Sequence, residues 1–380
     1  MRAPGATSDP TLRTVSLTNG RLTLELRPSE WSLDRLCGFA ARRNPRRGYL
    51  IVSKVLGRHI PVRPSELRAS LRDLASKIPG DLPEPTLVVG LAETAVGLGH
   101  GLFDELHARG VAATFLHTTR QVVEEPLLCR FEEPHSHASA HLVYRPASID
   151  LAAVRSLVIV DDEVSTGVTV ANLAAALAPA LPACERIVVA TLTDWSNSTA
   201  WLEGMPVPAS CVSLLAGRLT WSADPQAPVD AGSAAFDSAA GALGALPDAG
   251  PFGRVGAILP TAFRVPDISA LTLPRGRALR VIGTGEFTYP GFLLAERLEE
   301  AGFDVVVQAT SRSPIHVGGA IGRSLVFGDN YGSGMDNFLY NADPADGRLS
   351  LICHETAPGT VDPALISALD GRLIYFEGKD

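Results

Sequence analysis

The chain of 380 residues has few of the features that build disulfide frameworks, structural zinc sites or membrane spans. Its five cysteines are scattered, and none stands in a CxxC or CxH spacing, so neither a disulfide framework nor a zinc site is indicated. The sequence has no run of 18 apolar residues and no basic start followed by an apolar stretch. We therefore expect a protein of the reducing cytoplasm with no membrane partner.

An excess of positive charge is also missing. Lysine and arginine number 33 against 41 acidic residues, which gives a formal net charge of −8. Because general nucleic-acid binders concentrate positive charge, we expect no nucleic-acid partner. Hydrophobic residues make up 46% of the chain, which is enough for well-filled cores, and the length accommodates two or three domains.

Apolar strand patterns alternate with helical patterns in the first half of the chain. Strands are predicted at 49–56, 86–90, 111–116 and 157–160, and a helical period covers 65–77. This alternation favours an α/β fold, a parallel sheet with helices on both faces. Ligands of such sheets bind at the carboxyl ends of the strands.

The most informative segment is residues 157–169, which read LVIVDDEVSTGVT. An apolar, β-branched run ends in two carboxylates, Asp161 and Asp162, and a loop with hydroxyl groups and a glycine, 165–169, leads into a helical pattern. Such a loop can offer N–H groups, hydroxyls and a helix N-terminus to a phosphate. The carboxylates can accept hydrogen bonds from a diol or face a hard metal ion. The alternative is an ordinary strand-to-helix turn with Asp and Ser caps.

This segment resembles the PRPP-binding motif of type I phosphoribosyltransferases, in particular of the orotate phosphoribosyltransferase-like kind. In that family the acidic pair holds the ribose 2- and 3-hydroxyls, and the loop cradles the 5-phosphate. The resemblance implies that Asp161 and Asp162 bind ribose and Mg²⁺ and take part in catalysis. It also implies that PRPP contacts the residues that follow, namely Glu163, Val164, Ser165, Thr166, Gly167, Val168 and Thr169.

A second segment resembles the pyrophosphate loop of the same family. It joins a predicted strand to a predicted helix, so its N–H groups can face an anion. Its binding residues would be Gly90, Ala92, Glu93 and Thr94. Glu93 departs from a purely phosphate-binding pattern and would face Mg²⁺ or orient the loop. A plain turn between strand and helix is the alternative.

Two further catalytic elements are implied by the resemblance. Arg120 follows the next strand, where the family often places a basic residue that neutralises pyrophosphate; an ordinary surface arginine is the alternative. Residues 130–141 lie where the family carries a mobile loop that closes over the site. Within them, His135 and His137 would act in catalysis, while a metal site or no role at all stays open.

The acceptor pocket is the least visible part of the sequence. In the family an N-terminal hood often recognises the acceptor, and residues 53–59 resemble it weakly. Lys54 and Arg58 in this segment would favour an anionic acceptor, although ordinary surface charges would look the same. Trp195 follows a predicted strand and would either stack on a planar acceptor or pack in the core.

The two halves of the chain are related by an internal repeat, unless generic strand–helix similarity accounts for it. Gly90 and Arg120 are 30 positions apart, and Gly283 and Arg312, with similar neighbours, are 29 positions apart. In the second copy the segment 354–360, HETAPGT, replaces the acidic pair and the phosphate loop. This copy is therefore not expected to bind a ribose phosphate in the usual way. It would complete the first pocket, hold a second ligand or only stabilise the assembly.

The C-terminal half has a resemblance of its own. The segments 285–291, 310–314 and 328–334 look like the TRSP domain, which follows phosphoribosyltransferase-like domains in proteins of bacterial tellurium-resistance-type gene clusters. The second domain is thus expected to be an α/β domain that is a degenerate copy of the first.

These observations predict four parts of the chain. They are an N-terminal extension, 1–35; a phosphoribosyltransferase domain, 36–221; an Ala/Gly/Pro-rich linker, 222–255; and a TRSP-type domain, 256–380. The resemblance implies a Mg²⁺-dependent homodimeric enzyme that moves the 5-phosphoribosyl group between PRPP and a small-molecule acceptor, with pyrophosphate released or consumed. The alternatives are a regulatory protein that binds PRPP or a nucleotide without catalysis, and a structural partner protein with two paired domains.

Overall fold

The computed structural model describes residues 11–42, 47–132, 140–226, 244–246, 252–260 and 265–377. The first half contains twelve strands and four helices, in the order β1 Thr11–Leu17, β2 Gly20–Leu26, α1 Leu33–Leu36, β3 Cys37–Ala41, β4 Tyr49–Ser53, α2 Pro64–Lys77, β5 Thr86–Gly90, α3 Val96–Ala108, β6 Ala113–His117, β7 Gln121–Val122, β8 Leu127–Glu132, β9 Ala140–Tyr144, β10 Ser156–Val164, α4 Val168–Leu177, β11 Arg186–Asp194 and β12 Ala209–Ala223. A short strand, β13 Gly244–Ala245, pairs with β7. The second half contains β14 Leu279–Gly283, α5 Tyr289–Glu300, β15 Val305–Ala309, β16 Ser324–Gly328, β17 Asp336–Tyr340, β18 Leu349–His354, α6 Pro363–Leu369 and β19 Arg372–Tyr375.

The central sheet of the first half has the order β1-β2-β12-β11-β10-β5-β6. The five strands from β12 to β6 are parallel, and the β1–β2 hairpin is added in antiparallel fashion at the β12 edge. The connection from β5 to β6 moves across the sheet toward the β6 edge, and the connection from β10 to β11 moves toward the β12 side. Because such crossovers are right-handed, α3 and α4 lie on opposite faces. The predicted α/β class with a parallel sheet is confirmed.

The inner strands form because their residues are apolar and mostly β-branched. The segments 87–89, 157–160 and 187–190 are completely or almost completely buried, as expected for parallel strands covered on both faces. Strand β10 is longer than the predicted 157–160. It pairs with β5 only as far as Val160, but it continues beside β11 to Val164, so the acidic residues project past β5.

The extension and the linker, which the sequence placed outside the two domains, both contribute residues to the sheet or to the buried core. Within the predicted extension 1–35, β2 pairs with β12, and Leu22 and Leu24 are fully buried, so this segment is part of the sheet. The predicted linker 222–255 begins inside β12. Near its end, Phe252 and Arg254 are buried between the two halves.

The second half repeats the topology of the first. A strand, a helix, a strand, a hairpin, a strand, a helix and a strand follow each other in both halves, from β5 to β11 and from β14 to β19. The sheet order β15-β14-β18-β19 matches β6-β5-β10-β11, and all neighbours in both sets are parallel. The prediction that the second domain copies the fold of the first is thus confirmed at the level of topology.

The two halves pack through α2, α3 and α5. Arg68 of α2 binds Glu296 of α5 at 2.5 and 2.7 Å and Asp104 of α3 at 2.8 Å, and the Tyr289 hydroxyl donates to Asp104 at 2.8 Å. His100 of α3 stacks on the Tyr289 ring. One continuous hydrophobic core therefore includes residues of both halves. Across the described residues, no helix combines the length and apolar character needed to cross a membrane.

Candidate functional site

A cavity of about 230 Å³ lies at the carboxyl ends of β5 and β10. Most of its walls come from the loop after β5, the loop after β10, the β3–β4 hairpin and the turn after β15 in the second half. Individual residues after β4, after β6, in β9 and before β17 complete them. The two motifs singled out in the sequence thus face the same space. The carboxyl edge of a parallel sheet is where α/β proteins bind ligands.

The loop that leads into α4 has the geometry of an anion site. Every residue from Asp161 to Thr169 lines the cavity. Gly167 is the N-cap of α4 with φ 74°, and a Cβ there would lie 2.3 Å from the Trp201 ring, so only glycine fits. The N–H groups of the first helical turn have no partners within the helix, and the N-terminus of α4 is electropositive.

The acidic residues of β10 form a strongly negative group beside this loop. Asp161 and Asp162 are half-buried, and Asp161 Oδ1 accepts a hydrogen bond from the Asp162 N–H at 2.9 Å. Burial and the neighbouring charge of Glu163 raise the pKa of Asp162 to about 6. Glu163 itself forms an ion pair with Arg47, which precedes β4, so it attaches the β3–β4 hairpin to the acidic end of β10.

The predicted pyrophosphate loop connects β5 to α3. The Leu91 N–H donates to the Val160 carbonyl at 3.0 Å, and the Ala92 N–H donates to Thr118 Oγ1 at 2.9 Å. Ala92, Glu93 and Thr94 line the cavity.

Gly90, predicted to contact the ligand, is not among the lining residues and has a packing role. A Cβ on Gly99 of α3 would lie 2.8 Å from the Gly90 Cα, so both glycines allow the helix to approach the strand closely.

Glu93 holds two arginine side chains at the cavity wall. Its Oε2 accepts a hydrogen bond from Arg58 Nη2 at 2.5 Å, and its Oε1 lies 3.2 Å from Nε of Arg312, a residue of the second half. Of the two roles left open for Glu93, these contacts favour orientation of the site over direct contact with a metal ion.

Arg120 is buried beside the β8–β9 hairpin and lines the cavity. Its Nη1 donates to the Ala140 carbonyl at 2.8 Å. His141 also lines the cavity, contacts Thr118 Oγ1 through Nδ1 at 2.9 Å and stacks on Phe131 at 4.5 Å. The hairpin is thereby attached to the pyrophosphate loop. The predicted catalytic residues His135 and His137 lie outside the described residues.

Several lining residues were not predicted to belong to the site. Among them are Arg42, Arg47, Arg312 and Met335, whereas His59 belongs to the segment 53–59 that was considered for acceptor binding. Burial and the charges of Arg58 and Arg42 lower the pKa of His59 to about 3, so this imidazole is neutral at physiological pH. The alignment of the repeat, which pairs Arg312 with Arg120, was the one signal that could have pointed to Arg312.

Of the residues considered for acceptor binding, Arg58 lines the cavity, whereas Lys54 does not and donates to the Asp34 carbonyl at 2.9 Å. Trp195 packs in the core, and its Nε1 donates to Thr193 Oγ1 at 2.9 Å. The β3–β4 hairpin contributes Leu50 and Ile51 to the cavity instead.

The acidic side chains that line the cavity suit a hard divalent cation that also binds a substrate. No group of three or more His, Cys, Asp or Glu side chains within the described ranges could hold a metal by itself. The two carboxylates Asp161 and Asp162 fit Mg²⁺, which commonly takes one or two carboxylates and completes its shell with phosphate oxygens and water.

In the second half, the equivalent space is filled by the protein itself. Strand register equates Val160 with Cys353, so Glu355 occupies the position of Asp162, and Glu286 that of Glu93. The Arg254 guanidinium donates to both Glu355 oxygens at 2.7 Å and to Glu286 at 3.0 and 3.1 Å. All three side chains are at most 1% exposed. The second half therefore has no room for a ligand between these carboxylates.

Comparisons with known proteins agree with this division. Residues 36–218 match the family model of phosphoribosyl transferases, and residues 264–369 match that of the TRSP domain located C-terminal to them. No curated protein matches the chain significantly.

Among solved structures, an adenine phosphoribosyltransferase from Rhodothermus marinus is similar at 18% identity, over 47% of this chain and 94% of that one, with a TM-score of 0.33. The Trypanosoma brucei adenine enzyme, solved with AMP, pyrophosphate and ribose 5-phosphate, is similar at 14% identity, over 54% and 86%, with a TM-score of 0.35. The prediction of two successive domains, made from the motifs, is confirmed by the family models. The chain is thus similar to phosphoribosyl transferases over residues 36–218 and to the TRSP domain that follows them over residues 264–369.

Proposed function

We propose that this protein is a Mg²⁺-dependent phosphoribosyltransferase that moves the 5-phosphoribosyl group between PRPP and a small-molecule acceptor. The observation that carries the proposal is the convergence of three chemistries on one cavity. The N-terminus of α4 suits a phosphate, and Asp161 and Asp162 suit a diol with its cation. On a third side of the cavity, Glu93 of the loop after β5 holds arginines that suit a second anionic group. PRPP contains a phosphate, a ribose diol and a pyrophosphate in this order.

The phosphate loop and the carboxylates fix the ribose in this mechanism. The N–H groups of 166–169 and the hydroxyls of Ser165, Thr166 and Thr169 bind the 5-phosphate. Asp161 and Asp162 accept hydrogen bonds from the ribose hydroxyls, and their charge favours the positive charge that develops on the ribose. Mg²⁺ held at Asp161 and Asp162 would neutralise charge on the pyrophosphate.

Bond cleavage at C1 places negative charge on the leaving group. The C1–O bond to pyrophosphate breaks, its electron pair leaves with the pyrophosphate oxygen, and a bond from C1 to the acceptor forms. Residues 92–94 and the arginines Arg120 and Arg58 line this side of the cavity, where the Ala92 N–H is held by Thr118 Oγ1. Charge-assisted hydrogen bonds from guanidinium groups stabilise such an anion.

The acceptor would enter beside the β3–β4 hairpin. Leu50 and Ile51 offer an apolar surface there, next to Arg42 and Arg47. This composition suits a small acceptor with an apolar face and a polar or anionic substituent. The cytoplasmic location and the homodimer expected from the sequence stay predictions.

The test is a titration of PRPP with Mg²⁺, combined with an assay of pyrophosphate release in the presence of a pool of candidate acceptors. Asp161→Asn and Asp162→Asn should each weaken PRPP binding about tenfold or more, because each removes a charged acceptor worth about 1.5–3 kcal/mol. Asp81→Asn is the matched control, since Asp81 is exposed and lies 3.4 Å from Arg186, away from the cavity.

Unchanged PRPP binding in both site variants would contradict the assignment of the site. Tight PRPP binding by the wild type without pyrophosphate release, for every acceptor and in both directions, would identify a regulatory PRPP-binding protein instead.

A further inference from the structure

The second half of the chain forms one wall of the cavity. The turn Ser311–Ser313, which follows β15, and Met335, which precedes β17, are lining residues. This wall is firmly attached to the first half. Arg58 Nη1 donates to the Gly285 carbonyl at 2.5 Å, and β15 exchanges backbone hydrogen bonds with Val62. The cavity is therefore incomplete without the second half.

Arg312 occupies in the second half the position that Arg120 occupies in the first. The N–H of Thr118 donates to the Gly90 carbonyl at 3.0 Å, and two residues later comes Arg120. The N–H of Thr310 donates to the Gly283 carbonyl at the same 3.0 Å, and two residues later comes Arg312. The two arginines are thus equivalent in the repeat, yet both face the one cavity of the first half.

The guanidinium group of Arg312 has unused donors. Its side chain is only 7% exposed, and its Nε lies 3.2 Å from Glu93 Oε1. Among the described residues, Nη1 and Nη2 are buried without any hydrogen-bond partner. Buried donors of a charged group are costly to leave unsatisfied, so this arrangement points to an anion that supplies the missing acceptors.

The local charges also leave room for an anion. Glu93 is shared between Arg312 and Arg58, so one carboxylate faces two guanidinium groups. The carboxylates of Asp329 and Glu286 also act on Arg312 through their charges, but both are already engaged. Asp329 accepts hydrogen bonds from Ser333 and Asn337, and Glu286 accepts from Arg254. The anion that fits is one with several oxygens, because a guanidinium group binds such ligands through two parallel hydrogen bonds.

We propose that Arg312 of the second half binds the pyrophosphate group of PRPP, so that the active site is completed across the interface between the two halves. This inference rests on the proposed function. It gives the TRSP-type domain a direct part in substrate binding, and it explains why a half whose own site is filled by Arg254 remains attached to the first.

The experiment compares two ligands that divide PRPP between them. Inorganic pyrophosphate and ribose 5-phosphate are titrated separately, with Mg²⁺, into the full-length wild type, Arg312→Gln and Arg312→Lys. In Arg312→Gln the Kd for pyrophosphate should rise about tenfold or more, because bidentate charge-assisted hydrogen bonds are lost. The Kd for ribose 5-phosphate should stay within about twofold of the wild-type value. Arg312→Lys keeps the charge but loses the paired donors of the guanidinium group, so its Kd for pyrophosphate should lie between those of the wild type and Arg312→Gln.

Arg323→Gln is the control, since Arg323 belongs to the same half, is about half exposed and pairs only with Asp343. Equal affinity of wild type and Arg312→Gln for pyrophosphate would overturn the inference while the proposed function stands. An equal loss for both ligands would also overturn it, because Arg312 would then act only through the structure of the site. Should Arg312→Gln fail to fold, the same comparison between the two ligands is decided on Arg312→Lys. A wild type that binds neither ligand nor PRPP would refute the proposed function itself.

Discussion

At the scale of single residues, Gly167 shows how a short sequence motif is fixed by its surroundings. It takes φ 74°, which costs a residue with a side chain roughly 1–2 kcal/mol. It also lies against Trp201 of the short helix Ala200–Gly204, so a side chain would displace the ring. The phosphate loop therefore depends on both the backbone angle and the absence of a Cβ at this position.

Gly167→Ala is expected to lower the free energy of unfolding by about 2–4 kcal/mol, through backbone strain and overpacking. It should also weaken PRPP binding, because the N–H groups of the loop would shift. Gly204→Ala serves as the control, since no atom lies within 4 Å of a Cβ there. Denaturant unfolding and PRPP titration of both variants measure the effects. Equal behaviour of the two variants would contradict the role given to Gly167.

The sequence allowed the prediction of residues whose role is set by their immediate neighbours. Asp161, Asp162 and the loop to Thr169 line the cavity together, because strand, acidic pair and helix N-terminus follow each other directly, and their ligand contacts stay predictions. Arg42, Arg47 and Arg312 could not be identified in the same way. They reach the cavity through contacts between distant segments, which a local pattern does not encode.

At the scale of elements, the link between β5, β6 and the β8–β9 hairpin positions the pyrophosphate loop. Thr118, directly after β6, accepts a hydrogen bond from the Ala92 N–H and contacts His141 of β9. One hydroxyl therefore joins three elements around the proposed pyrophosphate position. The same arrangement recurs in the second half, where Thr310 Oγ1 accepts from the Gly285 N–H at 2.8 Å.

Thr118→Val should leave the buried Ala92 N–H without an acceptor, at a cost of about 1–3 kcal/mol. We expect the affinity for pyrophosphate to fall about tenfold as the loop shifts. Thr114→Val is a matched control in β6, since its hydroxyl makes only a 3.4 Å contact with the Thr86 carbonyl. Calorimetric titration measures both variants, and a Thr118→Val affinity equal to that of Thr114→Val would refute this link.

Element positions were predictable where the apolar pattern is uninterrupted. Strand β5 matches its predicted range 86–90, and α2 begins one residue before the predicted 65–77. Strand β10 was predicted too short, because its polar end is held by pairing with β11 and not by apolar side chains. The segment 1–35 was predicted as an extension, yet its strand β2 pairs with β12. Pairing between strands that are far apart in the sequence leaves little trace in a local pattern, so it could not be predicted.

At the scale of the whole molecule, Arg254 holds the two halves together. It comes from the connecting segment, and it neutralises two buried carboxylates of the second half while its Nε lies 3.2 Å from Thr119 Oγ1 of the first. Glu286, one of these carboxylates, also accepts from the Arg120 N–H at 2.6 Å. The position in the second half that is equivalent to the acidic pair of the first is thus a structural centre of the interface.

Arg254→Ala would leave Glu286 and Glu355 buried without their cation, and we expect a loss of roughly 3–5 kcal/mol in the free energy of unfolding. Arg155→Ala removes an exposed ion pair with Glu185 and should cost less than about 1 kcal/mol. Urea denaturation followed by circular dichroism gives both values. A loss no larger than that of Arg155→Ala would show that the Arg254 cluster does not stabilise the fold.

We propose that one PRPP site, in the first half, serves the entire chain. The most direct test is the stoichiometry of PRPP binding, measured by isothermal titration calorimetry with Mg²⁺ on the wild type and on Asp162→Asn. The expected result is one PRPP per chain for the wild type, because the equivalent space in the second half is filled by Arg254, and binding that is weaker by about tenfold or more in the variant. Two PRPP molecules per chain, or one that binds Asp162→Asn as tightly as the wild type, would contradict it.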